Sequence, residues 1–240
     1  MATLFNVGEF FRKKDFRVNP RRLVPGKSEY KHFFGGPIGE VEPKLARAPL
    51  HVLFNLDLRD PLLKFLQIDA KRLPLVFPIT VDGADIAYAI KPDGGIKLFG
   101  KAPGPRTKDW PYADYPAAFE KTPVKVLELT YEEYRATQFR YRIGPDTWMS
   151  QDDRDILQSL GSSFTQLGGV QEKPFGDPFE RKCPNDKCRL HDHPTATNMF
   201  IGIHDEPIPG LSLWNQNGEG FIAFSICGEC KAISAQTMVD

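Results

Sequence analysis

The chain has four cysteines, in two short pairs, and this arrangement constrains the fold more than any other feature. Cys183-Pro-Asn-Asp-Lys-Cys188 encloses four residues and Cys227-Gly-Glu-Cys230 encloses two. Each pair is a turn short enough to aim two sulfurs at one point, and no cysteine is left over. Four thiolates suit the tetrahedral preference of Zn2+, with Zn–S distances of about 2.3 Å. Cys183, Cys188, Cys227 and Cys230 are therefore expected to hold one structural zinc ion, because a site closed by four cysteines keeps no open position for chemistry. Pro184 is expected to stiffen the first turn, and Gly228 to supply unusual backbone angles in the second. The alternatives are four free thiols, or a redox pair at Cys227 and Cys230, although no βαβ pattern surrounds that pair. His191 and His193 follow closely and could replace a cysteine or build a second site, whereas a turn of this kind is ordinarily solvated. His204 reads as a hydrogen-bonded structural histidine.

Charge and length narrow the function classes. The 240 residues suffice for one large domain or two small ones. Lys+Arg and Asp+Glu are both 31, so the chain lacks the basic footprint of a nucleic-acid or anionic-membrane binder. No apolar run reaches the roughly 18–20 residues that span a bilayer. Residues 1–9 show no basic segment followed by an apolar core. The expected location is cytoplasmic, without a membrane partner, and in that compartment cysteines suggest metal before disulfides.

Gly 20 and Pro 21 favour many turns and short strands over a helical bundle. Residues 75–81 and 84–90 flank Asp82-Gly83, which predicts a type I′ hairpin, with Ile86, Tyr88 and Ile90 on one buried face and Pro78 marking an edge or a bulge. Residues 211–214 and 221–226 flank Asn217-Gly218 in the same way. Ile-Ala-Tyr-Ala-Ile at 86–90 and Ile-Ala-Phe-Ser-Ile at 222–226 agree at three of five positions. Gly35-Gly36-Pro37 precedes the apolar run 53–58, and Gly168-Gly169 precedes 200–205. The common order predicts two related half-repeats, about 35–100 and about 165–235, within a single domain 1–240. After the first matched strand comes the plain turn Lys91-Pro-Asp-Gly-Gly95, and after the second comes Cys227-Gly-Glu-Cys230.

A Pro-rich and helical connection, about 101–164, is expected between the halves, with Pro103, Pro105, Pro111, Pro116 and Pro123 in a surface segment. Thr130 and Glu133 predict a capping box for a helix near 131–140. Ser150 and Asp153 do the same for a helix near 151–160 that Gly161 ends. Asp60-Pro61 predicts a further short helix. The basic residues of 1–34 read as a solvated arm or a first helix. The fold class is α+β and β-rich: two related halves with antiparallel hairpins, a few short helices and zinc-ribbon-like knuckles in the second half.

Catalytic signatures are missing from the sequence: there is no Gly-x-Ser-x-Gly, no phosphate loop, no Gly-x-Gly-x-x-Gly and no His-Glu-x-x-His. Gly161-Ser162-Ser163 reads as a helix stop. Asp152, Asp153 and Asp155 read as favourable charge at a helix N-terminus.

Taken in order, Gly35-Gly-Pro37, Pro49-Leu50, Leu53-Phe-Asn-Leu-Asp-Leu58, Gln166-Leu-Gly-Gly169, Cys183-Pro-x-x-x-Cys188 and Phe221-Ile-Ala-Phe-Ser-Ile-Cys-x-x-Cys230 resemble the YwqG-like family, a domain of unknown function. The resemblance covers patches of 35–232. It implies a duplicated α+β protein with paired cysteines in its second half, and no settled activity. Some members resemble components of bacterial toxin–immunity loci. The expected function is a zinc-stabilised, non-enzymatic protein-interaction module, immunity- or adaptor-like, whose partner is another protein. The alternatives are a nucleic-acid-binding zinc ribbon and a hydrolase with a cleft between the halves.

Overall fold

Short β-rich runs punctuated by Gly and Pro become eleven strands in the computed structural model, which describes residues 20–38, 49–80, 85–100, 115–142, 150–161, 165–168, 182–193, 196–214 and 221–238. The strands are β1 (Arg21–Pro25), β2 (Phe33–Phe34), β3 (His51–Asp57), β4 (Arg72–Phe77), β5 (Asp85–Ile90) and β6 (Ile96–Leu98). They continue with β7 (Thr122–Glu128), β8 (Thr165–Leu167), β9 (Thr197–His204), β10 (Phe221–Cys227) and β11 (Ile233–Met238). Two helices, α1 (Tyr131–Arg142) and α2 (Gln151–Leu160), stand between β7 and β8, and the 3-10 helix Pro61–Leu66 follows β3. Every strand pair is antiparallel, in the order β4-β3-β2-β7-β1-β8-β9-β10-β11-β5-β6.

The sheet curls until it nearly closes. Tyr88 of β5 is fully buried, and its hydroxyl donates to the Pro74 carbonyl at 3.0 Å and accepts from the Val76 amide at 3.4 Å. Both groups belong to β4, the strand at the far end of the hydrogen-bonded order. Backbone groups on a strand at the end of a sheet need partners or water, and here one phenol bridges the gap. Burial raises the Tyr88 pKa, so the hydroxyl keeps the proton it donates. Inside the curl lies one apolar core that includes Phe34, Phe54, Phe77, Tyr88 and Phe224. Replacing Tyr88 with Phe should keep the packing but leave two buried backbone groups unpaired. We expect a loss of about 1–3 kcal/mol, read by chemical denaturation; a loss within error of zero would show that water replaces the phenol.

Several sequence expectations are corrected. Residues 75–81 and 84–90 do not form a hairpin: β4 pairs with β3, while β5 pairs with β11 and β6. The Asp82-Gly83 turn itself lies outside the described residues. The alternation within β5 holds for Ile86 and Tyr88, buried on the core face, while Ile90 at the end of the strand is only half-buried; Pro78 falls just beyond β4 at the end of the sheet. Residues 211–214 are not the partner of β10 either, and the Asn217-Gly218 turn lies outside the described residues. Leu211 bridges only to Ile208, and β10 pairs with β9 and β11. For β5, local turn chemistry competes with long-range burial, and burial prevails.

The stretch 20–25, expected as arm or helix, is β1 at the centre of the sheet, paired with β7 and β8. Leu23 is 1% exposed, and the buried Arg21 meets Glu128 across the strand pair at 3.0 Å. The basic residues before 20 lie outside the described region. The connection expected at about 101–164 contains β7, with Pro123 inside the strand; residues 101–114 lie outside the described region.

The capping expectations hold. Thr130 and Glu133 exchange side-chain-to-amide bonds at 3.1 and 2.7 Å at the start of α1. Ser150 caps α2, and Gly161 ends it with amide bonds back to Leu157 and Gln158. Asp153 does more than add charge near a helix start: it is buried and receives Arg135 of α1 at 2.6 Å, which ties the two helices together. Asp60 caps the 3-10 helix, with Pro61 next.

Asp60 also accepts His32 Nε2 at 3.0 Å, while the Asp57 amide donates to His32 Nδ1 at 3.0 Å. The backbone donor fixes the tautomer: Nδ1 accepts, so Nε2 carries the proton. Burial holds the His32 pKa below its ordinary 6.5 despite the opposing pull of Asp60. The ring ionises less readily in the folded chain than in the unfolded one. Its contribution to stability is therefore complete above about pH 6.5 and fades as pH falls below that value. Nuclear magnetic resonance titration should place the His32 midpoint below that of free histidine, with the unfolding midpoint dropping from about pH 7 to pH 5. A ring titrating at or above the free value would contradict the assignment. Among the described residues no helix is long and apolar enough to cross a membrane.

Candidate metal centre

The β10–β11 hairpin supplies one half of the cysteine cluster. Cys227 is the last residue of β10, and its amide donates to the Ala232 carbonyl at 2.8 Å, closing a tight turn. The Gly228 amide donates to Ala196 at 3.0 Å, pinning the turn to the start of β9. The turn's left-handed residue is Lys231, at φ 59°, while Gly228 lies outside that region. The role expected for Gly228 therefore passes to a lysine, whose Nζ returns to the Gly228 carbonyl at 3.0 Å.

Segment 182–193 supplies the other half. The Asn185 side chain accepts the Lys187 amide at 3.1 Å, and the Asn185 carbonyl accepts the Cys188 amide at 3.0 Å. These bonds fold Cys183-Pro-Asn-Asp-Lys-Cys188 into a compact turn. Arg189 meets Glu229 at 3.3 Å across the two turns, an exposed pair worth little by itself.

The four Sγ atoms all lie within 4.8 Å of one another. Cys183 and Cys230 are 3.4 Å apart, and Cys188 and Cys227 are 3.9 Å apart. A tetrahedron of sulfurs at the usual Zn–S distance has edges of about 3.8 Å, whereas a disulfide requires about 2.05 Å. All four are free cysteines; three are buried and Cys230 is half-buried. They form their own small cluster with Ala196 and Ala232, packed by Phe99 and Leu190 and separate from the main core.

Each sulfur also receives a backbone amide from two residues further on. Asn185 donates to Cys183, Leu190 to Cys188 at 3.4 Å, Glu229 to Cys227 and Ala232 to Cys230. Such donors favour the thiolate and orient its lone pairs. Burial still pushes the Cys183 and Cys230 thiols up. Burial works the same way on Cys227, but the amides of Glu229 and Cys230 with the neighbouring thiols outweigh it, and its pKa falls. Four sulfurs at metal-binding distance with this amide set fit one tetrahedral ion.

Neither histidine joins the cluster. His191 Nδ1 donates to the Cys183 carbonyl at 2.7 Å, which makes it a prop for the first turn. His193 is exposed. His204 ends β9 opposite Phe221, half-buried.

An open cleft of about 400 Å³ lies beside the cluster, lined among others by Asp85, Ala87, Phe99, Pro184, His191 and Gln236. The amide donors and the Lys231 conformation could not be read from residue types, because they are backbone properties. Compared with family models, with curated proteins and with solved structures, the chain finds no match in any of the three.

Proposed function

We propose that this is a cytoplasmic, zinc-stabilised protein-interaction module in which Cys183, Cys188, Cys227 and Cys230 hold one structural Zn2+. The observation that carries the reading is the convergence of the four Sγ atoms within 4.8 Å, from two turns about 40 residues apart in the chain. A complete set of thiolates leaves no ligand position for substrate, which assigns the ion to structure. It would hold segment 182–193 against the β10–β11 turn and so build one wall of the adjacent cleft. The order of Gly-Gly, strand and paired-cysteine motifs supports assigning the chain to the YwqG-like family and reading it as two related halves. An immunity- or adaptor-like role, with another protein as partner, agrees with the neutral charge and the missing catalytic motifs.

Elemental analysis of the purified chain should give about one zinc per molecule. A protein partner should be retained by the zinc-loaded chain and lost from the metal-free one. Zinc-free protein that folds and binds unchanged would sink the proposal. One observation favours a second reading, an enzyme of the hydrolase type: the cleft joins residues 85–87 and 98–100 to 182–184 and 234–236, so it lies between the two proposed halves. Turnover of any substrate class that disappears with Asp85→Asn or His191→Gln would favour that alternative. Nucleic-acid binding has no such support, since the chain carries no net charge.

A further inference from the structure

We infer that the cysteine cluster is also a site of oxidative modification by hydroperoxides, and that it oxidises across the two turns, forming a Cys183–Cys230 disulfide that takes over the ion's role as a cross-link. The inference rests on the zinc reading for the loaded state, but the pairing follows from sulfur positions alone. Sulfur-to-sulfur approach decides which thiols couple. Cys183 and Cys230 approach to 3.4 Å and Cys188 and Cys227 to 3.9 Å, within the 4.8 Å that bounds every pair of the four. Both join different turns, which sets coupling across the turns against the usual expectation for a Cys-x-x-Cys motif, coupling within the pair 227–230.

Access selects the first sulfur attacked. Cys183, Cys188 and Cys227 are 1%, 9% and 0% exposed, and Cys230 alone is half-buried. The Cys230 thiolate attacks one oxygen of the hydroperoxide; an S–O bond forms, the O–O bond breaks, and hydroxide or alkoxide leaves and takes a proton. The Cys183 thiolate then attacks the sulfenic sulfur of Cys230, the S–S bond forms and hydroxide leaves as water. Two sulfurs lose two electrons in total, and the hydroperoxide gains them. An ion left with two sulfur ligands is released. Because the new bond spans residues 47 apart, it keeps the first turn fastened to the β10–β11 hairpin.

The test treats the zinc-loaded, full-length chain with hydrogen peroxide, follows zinc with a chromogenic chelator and maps disulfides by mass spectrometry. Cleavage after Lys182, Lys187, Arg189, Glu229 and Lys231 puts the four cysteines on four separate peptides. The expected result is loss of about one zinc per chain, a linked pair of peptides carrying Cys183 and Cys230, and a melting temperature above that of the reduced, zinc-free chain. A Cys227–Cys230 or Cys183–Cys188 link as the main product would overturn the inference and leave the zinc reading standing. Four thiols still free after peroxide has oxidised a thiol standard would overturn it too. Protein that carries no zinc as purified would sink the metal reading instead, and the peptide map would still decide the pairing.

Discussion

Replacing Cys227 with serine, or stripping the metal with a chelator, is expected to lower the unfolding free energy by about 3–5 kcal/mol. Structural zinc contributes about 10–16 kcal/mol of apparent binding energy in small peptides at neutral pH. Much of that would be offset here by the part of segment 182–193 that only the ion orders, each such residue costing about 1–2 kcal/mol of backbone entropy. Cys227 is the strictest position, being 0% exposed and holding amides from Glu229 and Cys230. A serine hydroxyl there is a poor zinc ligand and a buried polar group in a small apolar cluster. For a chain of this size each kcal/mol shifts the midpoint by about 2–4 °C, so a drop of about 10 °C should appear in a thermal scan. Hydrogen exchange should show protection lost first in 182–193 and 227–232, with β1, β3 and β7 still protected, because the cysteine cluster packs apart from the main core. Arg189→Ala, which removes only the exposed pair with Glu229, should cost less than about 1 kcal/mol. A Cys227→Ser chain that loses its zinc and melts unchanged would show that the ion does not hold the fold.

What the residues revealed in advance was local. Thr130 with Glu133, Ser150 with Asp153 and Asp60 with Pro61 placed the helices because a cap is a contact between residues a few positions apart. The cysteine set was legible for a similar reason: two short pairs with nothing left over leave few arrangements. Strand pairing was not. Asp82-Gly83 has hairpin chemistry, yet β4 found β3 and β5 found β11, far along the chain, while β10 pairs with its chain neighbours β9 and β11 rather than with 211–214. The central position of β1 was hidden by Arg21 and Arg22, whose charges suggest solvent. Arg21 is buried because Glu128 sits opposite, and no local pattern announces a partner more than a hundred residues away. The contribution of Tyr88 was half visible: alternation put it on the buried face, but nothing showed that its hydroxyl would meet β4. Pairs of this kind depend on the curvature of the whole sheet.

Among the described glycines, Gly35→Ala is expected to be the most damaging alanine substitution outside the metal centre. In the sequence the Gly35-Gly36 pair is a recurring marker before a strand; the structure gives Gly35 a steric reason. Gly35 has φ +68°, and a Cβ there would lie 2.5 Å from the Glu120 carbonyl oxygen and 2.9 Å from that of Phe119. Both obstacles are backbone, on the segment that leads into β7, so no rotamer change relieves them. That segment cannot retreat cheaply: Phe119 packs against Phe34 and His51, and its carbonyl accepts the Gly36 amide at 2.9 Å. The left-handed backbone alone costs an alanine about 1–2 kcal/mol, and overpacking adds about 1–3 kcal/mol. The expected total is about 3–4 kcal/mol. Gly210 separates the two terms. It has φ +77° and open space around its missing Cβ, so Gly210→Ala should cost only the backbone term, about 1 kcal/mol. Denaturant unfolding of the two variants side by side measures the difference. Equal losses would mean that the 119–120 backbone yields and that the close approach is not what requires glycine at position 35.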